Sequence, residues 1–272
     1  MIKVVSILGC GWLGQALAQT LLSKGYVVRG SATSQENGNK LKALGVDPYK
    51  ITLENNEIFG DINSFISGTD ILITAIPPGL RKNPEANYAM RIQQLLTIVT
   101  NHPNCKVLHL SSIGVFGDAQ GSVDENSKPN PDTLVGEQLM QAESSVLSLK
   151  NKATLVRLGG LVGKGRHPVK QLAGKQNIPA PYAQTNLVHQ NDVIAFLAEI
   201  IERNLWGHIL HCVSPLHHER AAFYTQECLN NNFPIPSFSS TKSARTKKVD
   251  DTKSEALFAF QYQLVECRLK DC

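Results

Sequence analysis

No apolar run in this 272-residue chain reaches the roughly 18–20 residues that a membrane-spanning helix needs; stretches such as Asp70 to Pro78 are interrupted well short of it. No membrane span is expected. No two of the six cysteines, at positions 10, 105, 212, 228, 267 and 272, are spaced C-x-x-C, and a chain this long has no need of disulfide staples. They read as reduced thiols. Charge of one sign is not in excess either: 27 Lys and Arg against 23 Asp and Glu leave +4, too little to indicate a nucleic-acid binder. Internal repeats and low-complexity tracts are absent, which excludes collagen, coiled-coil and mucin-like chains. The start, Met1-Ile2-Lys3 and then Val4, Val5, Ile7 and Leu8, leaves no room for a charged region, an apolar region and a cleavage site, so a cytoplasmic address is expected.

What is present is a globular composition, 42% hydrophobic and 18% charged. Val-, Ile- and Leu-rich runs alternate with segments of helical period, the pattern of crossover units around a parallel sheet covered on both faces. Strands are expected at Val4 to Leu8, Tyr26 to Gly30, Tyr49 to Thr52, Asp70 to Ile76, Lys106 to Leu110 and Thr154 to Leu158. Between them come a helix carrying Leu13, Leu17 and Leu21 and stopping near Gly25, a helix through Lys40 to Leu44, and helices at Glu85 to Asn101 and Thr133 to Lys150. Beyond Gly159 glycine and proline become dense, before a helix at Asn191 to Arg203 and a strand at His208 to Cys212. The expected fold is α/β, a Rossmann-type doubly wound parallel sheet with a small C-terminal substrate lobe. The core is assigned to residues 1–162, completed by 186–213, and the lobe to residues 163–185 and 214–272.

Gly9-Cys10-Gly11-Trp12-Leu13-Gly14 is a G-x-G-x-x-G placed where the first strand ends and the first helix begins. In that context the first glycine permits a tight turn, the second lets backbone N–H groups approach a pyrophosphate, and the third lets helix and strand pack closely. An NAD site of this kind usually carries Asp or Glu about 20 residues further on, to hold the ribose hydroxyls. Here the corresponding stretch, Arg29-Gly30-Ser31-Ala32-Thr33-Ser34, has no acid, one cation and three hydroxyls, a set suited to a 2′-phosphate. Arg29, Ser31, Thr33 and Ser34 are therefore expected to favour NADP over NAD; the competing reading is a polar loop facing water.

Five segments together carry a family resemblance: Ile7 to Gly14, Thr74-Ala75-Ile76-Pro77-Pro78, Leu110 to Gly117, Val123-Asp124-Glu125, and Val188 to Val193. Collinear over about residues 2 to 262, they resemble the extended short-chain dehydrogenase/reductases, the NAD-dependent epimerase/dehydratase family, and within it the atypical bacterial YeeZ-type branch. The resemblance implies a Rossmann core and a C-terminal substrate lobe. It implies that Ala75, Ile76 and Pro77 border the dinucleotide, that Ser111 ends the strand beside it, and that Ser112 matches the family's catalytic serine. It also implies a cytoplasmic oxidoreductase acting on a small carbonyl, alcohol or sugar-derived substrate, as a monomer or homodimer.

One departure bears on the chemistry. Working members place a Tyr, and a Lys four residues later, about two dozen residues after the serine; here those positions fall on Val135 and Leu139. No tyrosine lies between Tyr88 and Tyr182, and none of the six is followed four positions on by lysine. Valine and leucine exchange no protons. Three readings stay open: another acid or base, with Glu137, His167, Tyr182 and His189 as candidates by type; hydride transfer with Ser112 and an ordered water; or a sensor or regulatory module that binds NADP without chemistry.

Weaker signals complete the list. Arg166, in Gly163-Lys164-Gly165-Arg166-His167-Pro168, is a candidate for a substrate phosphate or carboxylate, against a solvated loop. His189, with Asp192, is given a structural role first and a substrate contact second. His208, His211, Cys212, His217 and His218 are dense enough to raise zinc, but strand alternation would put His208 and Cys212 on one face and His211 on the other, so no metal is expected. The basic run at Lys242, Arg245, Lys247 and Lys248 has no interleaved aromatic and reads as a solvated loop.

Overall fold

The computed structural model describes residues 3–80, 83–240 and 245–272; Lys242 of the basic run lies outside them. Seven strands form the main sheet: β1 (Val4–Leu8), β2 (Val27–Ala32), β3 (Asp47–Lys50), β4 (Ile71–Thr74), β5 (Lys106–Ser112), β6 (Ala153–Leu158) and β7 (Ile209–Cys212). Their order is β7-β6-β5-β4-β1-β2-β3, and β1 pairs in parallel with both β2 and β4. The Rossmann-type doubly wound sheet is therefore present, and the strand expected after the regular alternation, β7, joins it at one edge. The chain winds one way from β1 through β3 and the other way from β4 onward. The carboxyl ends of β1 and β4 thus form the switch point at which open α/β sheets bind ligands.

β4 is buried along its whole length, which is why Ile71, Leu72 and Ile73 follow one another instead of alternating with polar residues. The first helix, α1 (Trp12–Ser23), buries the expected stripe of Leu13, Leu17 and Leu21 together with Gly14 and Ala18. Fully buried leucines of this kind contribute roughly 1.5–3 kcal/mol each. The helix stops as expected at Gly25, whose φ of +84° suits a residue without a Cβ. The helix α2 (Gln35–Ala43) begins earlier than its apolar pattern suggested, because Ser34 caps it by accepting the Asn37 N–H. A short helix α3 (Ile62–Ile66) and a hairpin pairing Thr52–Leu53 with Ile58–Phe59 were not anticipated. Helices α4 (Tyr88–Val99) and α5 (Leu134–Leu147) fall inside the segments expected for them.

By Cα packing the chain divides into two compact units. The first comprises residues 1–111, 137–156 and 197–209; the second comprises residues 112–136, 157–196 and 210–272. Within the second unit, Gly160–Val162 pairs with Leu187–His189, and Ser122–Val123 with Lys248–Val249. Its helices include α6 (Val169–Leu172), the start of α7 (Gln190–Glu202), α8 (Arg220–Asn230) and α9 (Thr252–Phe258). Val162, Val169, Leu187, Phe223, Tyr224, Cys228 and Cys267 pack into its apolar cluster. No helix among the described residues is long and apolar enough to cross a membrane.

Candidate functional site

The turn from β1 into α1 assigns a distinct role to each glycine. Gly9 has φ +93°, and a Cβ on it would lie 2.8 Å from both the Ala75 carbonyl carbon and Ile76 Cγ2. Only glycine can hold this turn against the chain leaving β4. Gly14 sits where a Cβ would come 2.8 Å from the Gly9 carbonyl oxygen and 3.3 Å from Ile7 Cγ2, which brings α1 close onto the strand. A Cβ on Gly11, by contrast, would meet nothing within 4 Å. Gly11 is also the N-cap of α1 and no side chain caps the helix there, so its positive end faces that open space. A cradle of bare backbone at a twelve-residue helix N-terminus has the shape and polarity that a pyrophosphate requires.

Neighbouring strands hold the turn in place. Ser31 Oγ accepts the Gly9 N–H at 2.8 Å, and the Ser31 carbonyl accepts the Cys10 N–H at 3.1 Å. The Ala75 N–H donates to the Leu8 carbonyl at 2.8 Å, so the Ala75-Ile76-Pro77 segment continues alongside β1 past the end of β4. Cys10 turns its thiol inward, near where a Cβ on Gly30 would lie, and burial pushes its pKa up to about 12; it packs and does no thiolate chemistry. Leu13 is buried and Trp12 half-buried. The turn, Ser31 and the segment Ala75 to Pro77 are thus brought together, all within the first unit.

Arg29 does not join them. It lies two residues before Ser31 on β2, and its Nη1 donates to the carbonyls of Ser64, Phe65 and Ser67 at 3.1, 3.1 and 2.6 Å. These carbonyls lie at the end of α3, that of Phe65 also accepting from Ser6 Oγ and Thr69 Oγ1, so the guanidinium caps a helix C-terminus. Thr33 and Ser34 are exposed just beyond β2, Ser34 being committed through Oγ to capping α2.

At the end of β5, Ser111 is buried and donates to Glu143 Oε1 of α5 at 2.6 Å. Ser112 accepts the Gly114 N–H at 3.1 Å and so starts the short 3-10 turn Ile113–Val115. Beneath Ser111, sequence reasoning passed over a buried polar pair: Thr74 Oγ1 lies 2.6 Å from His109 Nδ1. Burial lowers the His109 pKa to about 4, so this imidazole is neutral at pH 7. Two apolar neighbours on β5, Leu108 and Leu110, hid it in what read as a plain strand.

Among the proposed replacement acids and bases, His189 has both ring nitrogens engaged. Nδ1 accepts the Asn191 N–H at 3.1 Å, which makes Nε2 the donor to the Asp271 carbonyl at 3.0 Å. His167 repeats the arrangement, with Nδ1 accepting from Val169 N–H and Nε2 donating to the Cys267 carbonyl. Each histidine starts a helix and pins the C-terminal tail. These bonds are those of the structural role expected first for His189. Asp192 and Glu227 act alongside them: Asp192 accepts the N–H groups of Gln263 and Leu264, and Glu227 accepts Leu269 N–H. No sequence signal marked Glu227, a single acid in α8. Glu137 is exposed, as is Tyr182 at 62%, and Arg166 is exposed in a bridge with Gly163. Val135 is half-buried and Leu139 buried on α5.

The His/Cys cluster disperses. His211 Nδ1 donates to the Asp250 carbonyl, His217 Nδ1 pairs with the Thr185 carbonyl, His218 stacks on Phe223, and Cys212 is buried. Among the described residues no group of three or more His, Cys, Asp or Glu is placed to hold a metal ion.

Comparison with known proteins adds three findings, while no protein-family model matches the chain. Protein YeeZ of Escherichia coli K12 is 33% identical over 266 residues, covering 96% of either chain. A Stigmatella aurantiaca protein named as a 4-hydroxy-2-methyl-3-oxo-4-farnesyl-3,4-dihydroquinoline-1-oxide ketoreductase is 25% identical over 148 residues, 52% of this chain and 43% of that one. Among solved structures, the UDP-glucuronic acid 4-epimerase of Bacillus cereus in complex with NAD superposes with a TM-score of 0.80 at 18% identity, covering 99% of this chain and 94% of the other.

Proposed function

Because this chain belongs to the YeeZ family, and its β1–α1 turn leaves open space at Gly11 between two sterically obligatory glycines, we propose that it binds a nicotinamide dinucleotide there. The observation that carries the reading is the contrast between the three glycines. Two are required by the protein's own packing, whereas a Cβ on Gly11 would meet no neighbouring atom within 4 Å, so the space beside it is open to a ligand. The N-terminal end of α1 would hold the pyrophosphate, and Ala75 to Pro77 would line the path toward the nicotinamide. The NAD in the Bacillus cereus epimerase and the reductase chemistry named for the Stigmatella protein lie in the same direction.

The phosphorylated form is the proposed cofactor, on a narrower basis than Arg29. The residues from Arg29 to Ser34 offer no carboxylate to hold a ribose diol, and exposed Thr33 presents a hydroxyl at the strand end. When bound, the dinucleotide supplies hydride transfer. The protein's part is to orient it and to hold Ser112 at the carboxyl edge of the sheet, with a water completing proton transfer where Val135 and Leu139 provide none. The substrate class is a small carbonyl, alcohol or sugar-derived compound.

A second reading, dinucleotide binding without turnover, is favoured by one observation: all four candidate replacement groups are either fully engaged by backbone or exposed to solvent. Calorimetric titration with NADPH and NADH tests the shared premise, and NADPH consumption over a carbonyl and nucleotide-sugar panel separates the two. Binding with turnover supports the enzyme, binding without it the sensor, and no heat with either nucleotide overturns both.

A further inference from the structure

Within the second unit lies a cavity of about 180 Å³ that the dinucleotide reading does not use, lined by Asp118, Ala183, Gln184, Asn186, Arg220, Arg245 and Lys247. Three of its seven lining residues are cations and one is an acid, so its walls carry a surplus of two positive charges. We propose that this cavity is a binding site for a small molecule carrying a phosphate group.

The walls are held by backbone, which makes the charge placement a property of the fold. On one side Gln184 bridges Glu219, with the Arg220 N–H donating to the Ala183 carbonyl at 2.9 Å and the Thr185 N–H to the His218 carbonyl at 2.8 Å. This sets Arg220 opposite Ala183, where its Nη1 is fixed by the Pro179 carbonyl at 2.9 Å. On the other side Asn186 spans the strand edge, its Nδ2 donating to the Lys247 carbonyl and its Oδ1 accepting the Val249 N–H. Asp118 fastens the remaining cations: Oδ2 lies 3.2 Å from Arg245 Nε, and Oδ1 lies 3.0 Å from Lys247 Nζ, which also donates to the Phe116 carbonyl.

Asp118 thus pairs with both Arg245 and Lys247, and no acid among the described residues forms an ion pair with Arg220. A guanidinium oriented by a single carbonyl keeps further N–H donors for a ligand, in the planar fork that matches two oxygens of a phosphate. A doubly charged phosphate balances the surplus, which a monocarboxylate would not. The volume lies below the roughly 300–1,000 Å³ typical of sites for larger ligands, so a phosphate on a short carbon skeleton fits better than a nucleotide.

The test is titration of the full-length protein with inorganic phosphate, against sodium chloride at matched ionic strength, by calorimetry and thermal unfolding. Wild type, Arg220→Gln and Arg245→Gln are compared, each checked for folding by circular dichroism. The expected result is a 1:1 phosphate isotherm in wild type, weakened at least tenfold in both variants, with glycerol 3-phosphate binding and glycerol not. Phosphate no better than chloride, or equal phosphate affinity in all three proteins, overturns the proposal. NADPH titration of the same samples keeps the outcomes apart. The cavity lacks every residue of the β1–α1 turn, so both variants bind dinucleotide as wild type does, and either proposal can fail alone.

Discussion

Substituting Gly11 and Gly14 separately divides the cofactor reading from the stability of the fold. A methyl group on Gly11 meets no protein atom within 4 Å, so Gly11→Ala forfeits only the preference of helix N-caps for glycine over alanine, about 1 kcal/mol or less. At roughly 2–4 °C per kcal/mol for a chain of this size class, the melting temperature should fall by no more than about 4 °C. The same methyl occupies the space through which backbone donors would approach a pyrophosphate. Hydrogen bonds to a charged group are worth about 1.5–3 kcal/mol each, so losing one weakens binding tenfold or more. Gly14→Val reverses the pattern. Its Cβ would sit 2.8 Å from the Gly9 carbonyl oxygen, a backbone atom that can yield only by moving the turn. Overpacking of this severity costs about 2–3 kcal/mol, a fall of about 4–12 °C. Calorimetry and differential scanning fluorimetry on the two variants read both quantities. A Gly11→Ala protein that binds NADPH as tightly as wild type refutes the reasoning, because the open space would then not be where the dinucleotide lies.

Arg29→Ala removes the two Nη1 N–H donors shared among three carbonyls at the end of α3 and should cost about 2 kcal/mol in urea unfolding, while the ratio of NADPH to NADH affinity stays unchanged; a selective loss of NADPH would place Arg29 in the cofactor site. His109, at about 4 when folded against 6.5 for the free side chain, binds its proton only on unfolding across that window, so stability falls as the pH drops from about 6.5 to about 4. The loss attributable to it is about 3 kcal/mol, to be read as the difference between wild type and His109→Gln, since Asp251, raised by burial to about 6, acts in the opposite direction over part of the range. Parallel pH profiles for the two proteins would count against the burial argument. Asp192→Asn leaves one oxygen to serve two N–H donors and should expose the segment after Gln263 to limited proteolysis; an unaltered cleavage pattern would mean that the other anchors suffice.

The sheet was legible because its central strands are buried on both faces, so β1, β4 and β5 are written as mostly apolar runs, broken only by single buried polar residues such as Ser6 and His109. The glycine turn was legible because its spacing is a steric requirement, and Gly9 and Gly14 meet the contacts that requirement predicts. Side-chain partners were not. Arg29 stands near the end of β2 as a phosphate-binding cation would, and only the position of α3, a five-residue helix with no periodic signal, shows that its charge is already committed. His167 and His189 look alike in sequence to free imidazoles, because the carbonyls that engage them lie 100 and 82 residues away in the tail. Hydrogen bonds of that sequence separation leave no local pattern to read.

The first unit is assembled from three stretches of chain ending at residues 111, 156 and 209, which has a consequence for the order of events during synthesis. Strands β1 to β5 are available once residue 112 has emerged, but roughly 100 more residues must follow before the last stretch is made, about 5–20 s at ordinary rates of translation. Until β6 has emerged, roughly the first half of that interval, β5, an inner strand of the finished sheet, is an open edge presenting unpaired N–H and C=O groups. A ribosome carrying this nascent chain is thus the stage at which strand-to-strand association between copies competes with folding. Slower translation between residues 112 and 153 lengthens the vulnerable period, and a chaperone that covers the β5 edge shortens its effect.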